Sequence, residues 1–282
     1  MVLTGLLFVG VTAAVKHGAQ ELPAAESAFL RYLFGLLFFL PVLGTLRSTS
    51  MDKTQLKLFA MRGVAHTLGV MLWFHAMTRI TIAEVTAMNY MTPIYVTLSA
   101  AFLLGERLAA RRIIAIALAF IGALVILRPG LRPLTDGHLA MVFAAILLAF
   151  SYLTAKRLAN EFSASVIVAM LSIAVTIGLI PFAIAVWRTP TLPETGWMMV
   201  VAALATAGHY SMTRAFAVAP VSVTQPVTFL QLVWSVILGI LVFGEAADVW
   251  VILGGVVIIG ATTFIAIREA MLARNHHKSD RT

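Results

Sequence analysis

The chain has 282 residues, 61% hydrophobic and 11% charged, with a mean hydropathy of +0.97. Soluble domains are roughly 45–50% apolar and about 25% charged, so a soluble enzyme, a soluble binding module and a disordered segment are all excluded in favour of a polytopic membrane protein. The net charge of +8 comes without a polar block able to hold a nucleic-acid patch, and zero cysteines exclude disulfides, thiolate metal sites and thiol nucleophiles.

A spanning helix needs about 20 mostly apolar residues. Ten such spans are predicted, over 2–19, 27–46, 59–78, 82–104, 109–127, 138–157, 163–187, 196–214, 220–243 and 248–267. The runs are too long and too uniformly apolar for barrel strands. The first span starts at once, without the basic segment of a cleaved signal peptide. Turn and charge signals separate the spans: Gln20-Glu21-Leu22-Pro23, Arg47 to Lys57, Gly105-Glu106-Arg107, Arg128-Pro129-Gly130 and Thr189-Pro190. Residues 269–282 read as a mobile polar cytoplasmic tail, in which His276-His277 is a solvated pair.

With the N-terminus inside, the inner loops and tail hold roughly fourteen Lys and Arg, Arg62 among them, against four outside (Arg79, Arg128, Arg132 and Arg188). That asymmetry places both termini in the cytoplasm of a bacterial-type inner membrane. Lys16 and Arg31 fall within spans near the outer face, where they are expected to snorkel or to pair with Glu21 or Glu26.

The two halves repeat. At an offset of 140, Lys16 meets Lys156, Glu21 meets Glu161 and Pro41 meets Pro181; at 139, Gly69 meets Gly208 and Gly105-Glu106 meets Gly244-Glu245. The reading is two five-helix repeats, 1–130 and 138–268, and an odd number of helices inverts the second. Inverted repeats place a site near the bilayer midplane and imply alternating access.

These features, taken in order, resemble the EamA-like family of the drug/metabolite transporter superfamily. The resemblance rests on Phe29-Leu30-Arg31-Tyr32 opening span two, Pro93 inside span four, Leu104-Gly105-Glu106-Arg107 after it, Gly122, and Leu127-Arg128-Pro129. It covers residues 1–268 and departs in the second half, where no Arg follows Gly244-Glu245 and no proline matches Pro93. It implies a secondary transporter of ten helices around a central cavity, with relatives that export amino acids and other metabolites. Similar proteins take up riboflavin or S-adenosylmethionine.

Candidate site residues come from span nine and its mirror. Thr224, Gln225, Thr228, Gln231 and Ser235 share one helical face, and Thr86, Asn89 and Thr92 occupy the mirrored positions of span four. Such a row needs protein or water to face. Amides both donate and accept, so they can orient a zwitterion or a heterocycle. Asn89, Gln231, Gln225, Thr92 and Thr228 are therefore substrate-binding candidates, with Trp73, Tyr90 and Trp234 as an aromatic wall; Tyr152 and Tyr210 suit the same role. Helix-to-helix hydrogen bonding is the competing account, favoured for Thr86 and Thr224. Pro93 and Pro226 kink both helices.

His66, on one face with Val70 and Trp73, and His209 are candidates for proton coupling, as is Glu84 at the start of span four. Burial as packing residues and a helix N-terminal role are their alternatives. Glu106 and Glu245 read as helix-end carboxylates. No phosphate-binding loop, zinc-protease motif or nucleophile elbow occurs, and the aspartates fall near turns or the tail, so neither ATP, nor a cofactor, nor a metal is implied.

The expected molecule is an all-α, ten-helix secondary transporter of a small organic metabolite, not an enzyme, working by alternating access. Export is favoured, with uptake of a vitamin or cofactor as the alternative and a channel or membrane-embedded enzyme less so. Its expected partners are the substrate and the lipid bilayer. Without an exposed Gly-xxx-Gly seam it is expected to be a monomer or weak dimer.

Overall fold

The structure, a computed structural model, describes residues 1–89, 91–92, 95, 110–128, 134–218, 230–246 and 248–279. Among these the only regular elements are helices: α1 (Val2–Gly18), α2 (Ala24–Leu37), α3 (Leu43–Ser48), α4 (Lys53–Arg79), α5 (Ile82–Asn89), α6 (Ala110–Leu127), α7 (Asp136–Leu158), α8 (Ala164–Ala185), α9 (Leu192–Val218), α10 (Leu230–Phe243) and α11 (Val249–Ser279).

Local chemistry sets several of these boundaries. Asp52 accepts from the Gln55 N–H at 2.8 Å while the Gln55 side chain accepts from the Asp52 N–H at 2.9 Å. This reciprocal cap starts α4 at Lys53, ahead of the expected 59. Thr191 and Glu194 form the same kind of cap at α9, which therefore also begins early. Span two is not one rod. After α2 the chain turns, passes through a 3-10 segment at Leu40–Val42 and resumes as α3. Pro41 lies in that segment and has no N–H for an α-helical ladder. Its counterpart Pro181 stays inside α8. The last helix overruns its expected end at 267 and continues through the polar segment to Ser279, so most of the expected mobile tail is helical.

Among the described residues two helices, α7 and α8, have the length and hydropathy to cross a membrane by those measures alone. Large apolar side chains also stand exposed around the bundle, among them Val64, Phe143, Ile177, Ile184, Leu241 and Val256. An apolar surface of this extent marks contact with lipid or protein rather than water.

The helix pairings come in matched sets. α4 packs on α7 as α1 packs on α9; α4 meets α8 as α9 meets α2; α2 meets α4 as α8 meets α9; and α5 meets α7 as α10 meets α1. The pairs α2–α8, α5–α10 and α6–α11 link the halves directly. The α6–α11 crossing is close because both helices put glycine there. A Cβ on Gly122 would stand 2.8 Å from the Gly254 carbonyl oxygen, and one on Gly254 would stand 2.5 Å from that of Gly122. The core between the central helices is filled by Phe74, Met77, Met88, Met141, Leu171, Leu179 and Met198, all buried.

Candidate functional site

Near the middle of the bundle lies a small cavity of about 40 Å³. α4 contributes His66, Val70 and Trp73 to it, as one face at i, i+4 and i+7 does. α5 contributes Asn89, α10 contributes Gln231, α9 contributes His209, α2 contributes Arg31 and Tyr32, and α7 contributes Tyr152. Six of the residues singled out in the sequence as site candidates thus line one cavity: Asn89, Gln231, Trp73, Tyr152, His66 and His209. Thr92 is buried beside them and its hydroxyl donates to the Asn89 side-chain oxygen at 3.4 Å. Trp234 is exposed and lies outside this lining. Tyr90, Gln225 and Thr228 fall outside the described residues, as do Thr224, Pro93, Pro226 and Glu106.

The histidines meet. Their ring centroids are 5.3 Å apart, edge to face. His66 Nδ1 is hydrogen-bonded to Ser151 Oγ at 2.8 Å, and its ring faces Tyr32 and Tyr152. His209 packs on Phe8, and among the described residues its Nδ1 has no hydrogen-bond partner.

Two cations depart from their expected places. Arg62, counted among the inner-loop charges, is fully buried inside α4, where its Nη1 donates to the Ile167 carbonyl at 3.0 Å. Arg31 neither snorkels nor pairs with Glu26. It is buried, with its guanidinium carbon 3.8 Å from the centroid of the Tyr32 ring. Their positions inside predicted spans were the available signal, though spacing alone does not say how deep either side chain lies. Arg62 also stands one helical turn before His66.

Toward one end of the bundle opens a larger vestibule of about 670 Å³, lined by Lys16, Gln20, Arg79, Thr81, Glu84, Thr135, His138, Glu245 and Asp248. Glu84 sits here rather than in the central cavity. Its carboxylate accepts from the Thr81 N–H at 2.9 Å and the Thr81 hydroxyl at 3.0 Å, capping α5, and His138 Nε2 lies 3.4 Å from its other oxygen. His138, missed in the sequence, is buried and is also bonded to the Thr135 hydroxyl at 2.7 Å. Lys16 pairs with Glu245 instead of Glu21, and Glu245 also accepts from the Ile82 N–H at 3.3 Å. Glu245 therefore ties α1 and α5 to the α10–α11 turn, beyond a helix-end role. That turn needs Gly244, whose φ of +62° is left-handed.

A cavity walled by amides, imidazoles, guanidiniums and indole offers donors, acceptors and flat apolar faces. Such a lining suits the binding of a small polar or aromatic molecule. Comparison with known proteins points the same way. The model described as the EamA-like transporter family matches residues 1–128 and again 135–267. The S-adenosylmethionine uptake transporter of Rickettsia prowazekii is 25% identical, over 94% of this chain and 90% of that protein. The riboflavin transporter of Rhizobium johnstonii is 30% identical, over 95% and 90%. The pseudopaline exporter CntI of Pseudomonas aeruginosa is 28% identical, over 92% of each. A solved crystal structure superposes with a TM-score of 0.65 at 19% identity, covering 95% of this chain and 96% of that one, which establishes the shared fold.

Proposed function

This chain belongs to the EamA-like transporter family, and from that premise we propose that it is a secondary transporter carrying a small organic metabolite across the inner membrane by alternating access. In this reading ten helices form two inverted repeats, 1–130 and 138–268, with both termini and the segment 269–282 cytoplasmic. The matched helix pairings and the excess of Lys and Arg in one set of loops support it. The vestibule is then the outer mouth and the central cavity the substrate site.

The observation that carries the proposal is the convergence of Asn89, Gln231, Trp73, His66 and His209 on one buried cavity. Gln225, Thr228 and Tyr90 extend this site and Thr92 orients Asn89, while Trp234, exposed and outside the lining, is the weakest of the aromatic candidates. His66, His209 and Glu84 are the groups for proton coupling, in the centre and in the vestibule. Export is the favoured direction, matching the relative named an exporter. Uptake of a cofactor is the second reading, favoured by relatives named for S-adenosylmethionine uptake and riboflavin transport.

Counterflow of labelled S-adenosylmethionine and of labelled riboflavin into preloaded proteoliposomes tests this. A carrier gives saturable counterflow that falls at least tenfold in Gln231→Ala or Asn89→Ala. Flux that rises linearly with concentration makes it a channel. A flux indifferent to an imposed pH gradient removes the proton-coupling roles of His66, His209 and Glu84.

A further inference from the structure

The central cluster has an imbalance of charge. Arg31 and Arg62 are 5% and 0% exposed, and no carboxylate among the described residues bonds either of them. Arg31 Nη1 has no hydrogen-bond partner. Arg62 spends Nη1 on the Ile167 carbonyl, leaving Nε and Nη2 unpartnered. Among the described residues His209 Nδ1 is unpartnered too, and the Tyr32 hydroxyl has no acceptor, with the Arg31 guanidinium beside it. Arg31, Tyr32 and His209 line the central cavity, and Arg62 lies one turn along α4 from His66, which also lines it.

Leaving buried polar atoms unsatisfied is costly, and leaving a buried guanidinium without a counter-charge is more so. The Tyr32 ring offsets part of the Arg31 charge but supplies no counter-charge. The orphaned atoms of Arg31 and Arg62 can only donate, the Tyr32 hydroxyl can donate, and His209 Nδ1 does so in one tautomer. A set dominated by donors, with two positive charges, calls for an anion. Guanidiniums suit a flat acceptor with two oxygens in one plane. A cavity of about 40 Å³ holds one group of that size and not a whole metabolite.

We infer that the central cavity takes the carboxylate of a carboxylate-bearing substrate, held by Arg31 with Tyr32 and His209 and supported electrostatically by Arg62. The remainder of the substrate then extends along Asn89, Gln231 and Trp73. This rests on the transporter reading above and narrows it, since metabolites without an acidic group leave the guanidiniums unpaired.

The test uses the purified full chain in detergent and acetate as probe, read as the midpoint of thermal unfolding. Chloride is exchanged for acetate mole for mole, with acetamide added to a chloride sample at the same concentration. Acetate raises the midpoint along a saturating curve; acetamide does not. Arg31→Gln weakens the half-saturating acetate concentration at least tenfold. Tyr32→Phe and His209→Gln, which change little volume, each weaken it severalfold and serve if Arg31→Gln fails to fold. Equal midpoints in acetate and chloride overturn the inference in favour of a general anion site, and equal effects of acetate and acetamide overturn it outright. Saturable riboflavin counterflow that is unchanged in Arg31→Gln also overturns it while leaving the transporter reading intact. Absence of counterflow for every substrate, with the acetate response present, counts against the transporter reading alone.

Discussion

The hydrogen bond between His66 Nδ1 and Ser151 Oγ joins α4 to α7 beside the cavity and holds the imidazole ring in place. Removing the hydroxyl leaves a buried imidazole nitrogen without its partner. Ser151→Ala should therefore lower stability by about 1 kcal/mol, within the range for interhelical hydrogen bonds in membranes, and Ser151→Thr should retain part of it. Denaturation of the three proteins checks this, and an unchanged Ser151→Ala would mean that water replaces the hydroxyl. The convergence of His66, Val70 and Trp73 was legible in the sequence because helical spacing alone puts them on one face. Arg31 and Arg62 were not, because spacing says nothing of depth. One cation in an apolar span looks the same whether it reaches for the surface or points inward, and only the neighbours that close over it decide.

Helix ends and crossings were legible to different degrees. Thr191 and Glu194 form a cap that local sequence can announce, and Glu194 shows its electrostatics. The Thr191 N–H, followed by the Arg188 guanidinium and the Thr191 hydroxyl, holds its carboxyl below the usual carboxylate range. A lowered value in the folded state means that ionised Glu194 stabilises the fold above the ordinary value near ~4.3. That contribution disappears as pH falls through the folded value. Glu194→Gln should thus unfold at a lower temperature than the parent at pH 7, with the gap closing below about pH 4. Unfolding midpoints over a pH series decide it, since a constant gap would assign the effect to shape rather than charge. The α6–α11 crossing, by contrast, is invisible until Gly122 and Gly254 are seen back to back. No side chain fits against the facing carbonyls, so Gly254→Val should cost roughly 1–3 kcal/mol as overpacking does. A substitution at Gly260, where an added Cβ meets nothing within 4 Å, should not.

At the scale of the whole molecule, the described conformer has a wide vestibule at one end and a narrow central cavity. In the transporter reading proposed above, a metabolite of the size carried by the named relatives exceeds a cavity of about 40 Å³, and that reading has the helices around the cavity part during transport. On that reading, wall residues on α4, α5, α9 and α10 alternate between being reachable from one side and from the other. Because the chain contains no cysteine, single cysteines can report this without background. Gln20→Cys, in the vestibule, should react with a membrane-impermeant maleimide applied outside intact cells. Ser50→Cys, in the exposed stretch between α3 and α4, should react only after the cells are opened. Asn89→Cys, half-buried in the cavity wall, should label slowly at rest and at least severalfold faster or slower once saturating substrate shifts the balance of states. Substrate that alters Gln20→Cys and Asn89→Cys together would indicate one rigid-body motion. A change at Asn89→Cys alone would confine the motion to α5 and α10. A labelling rate at Asn89→Cys that never responds to any transported substrate would remove the central cavity from the transport path.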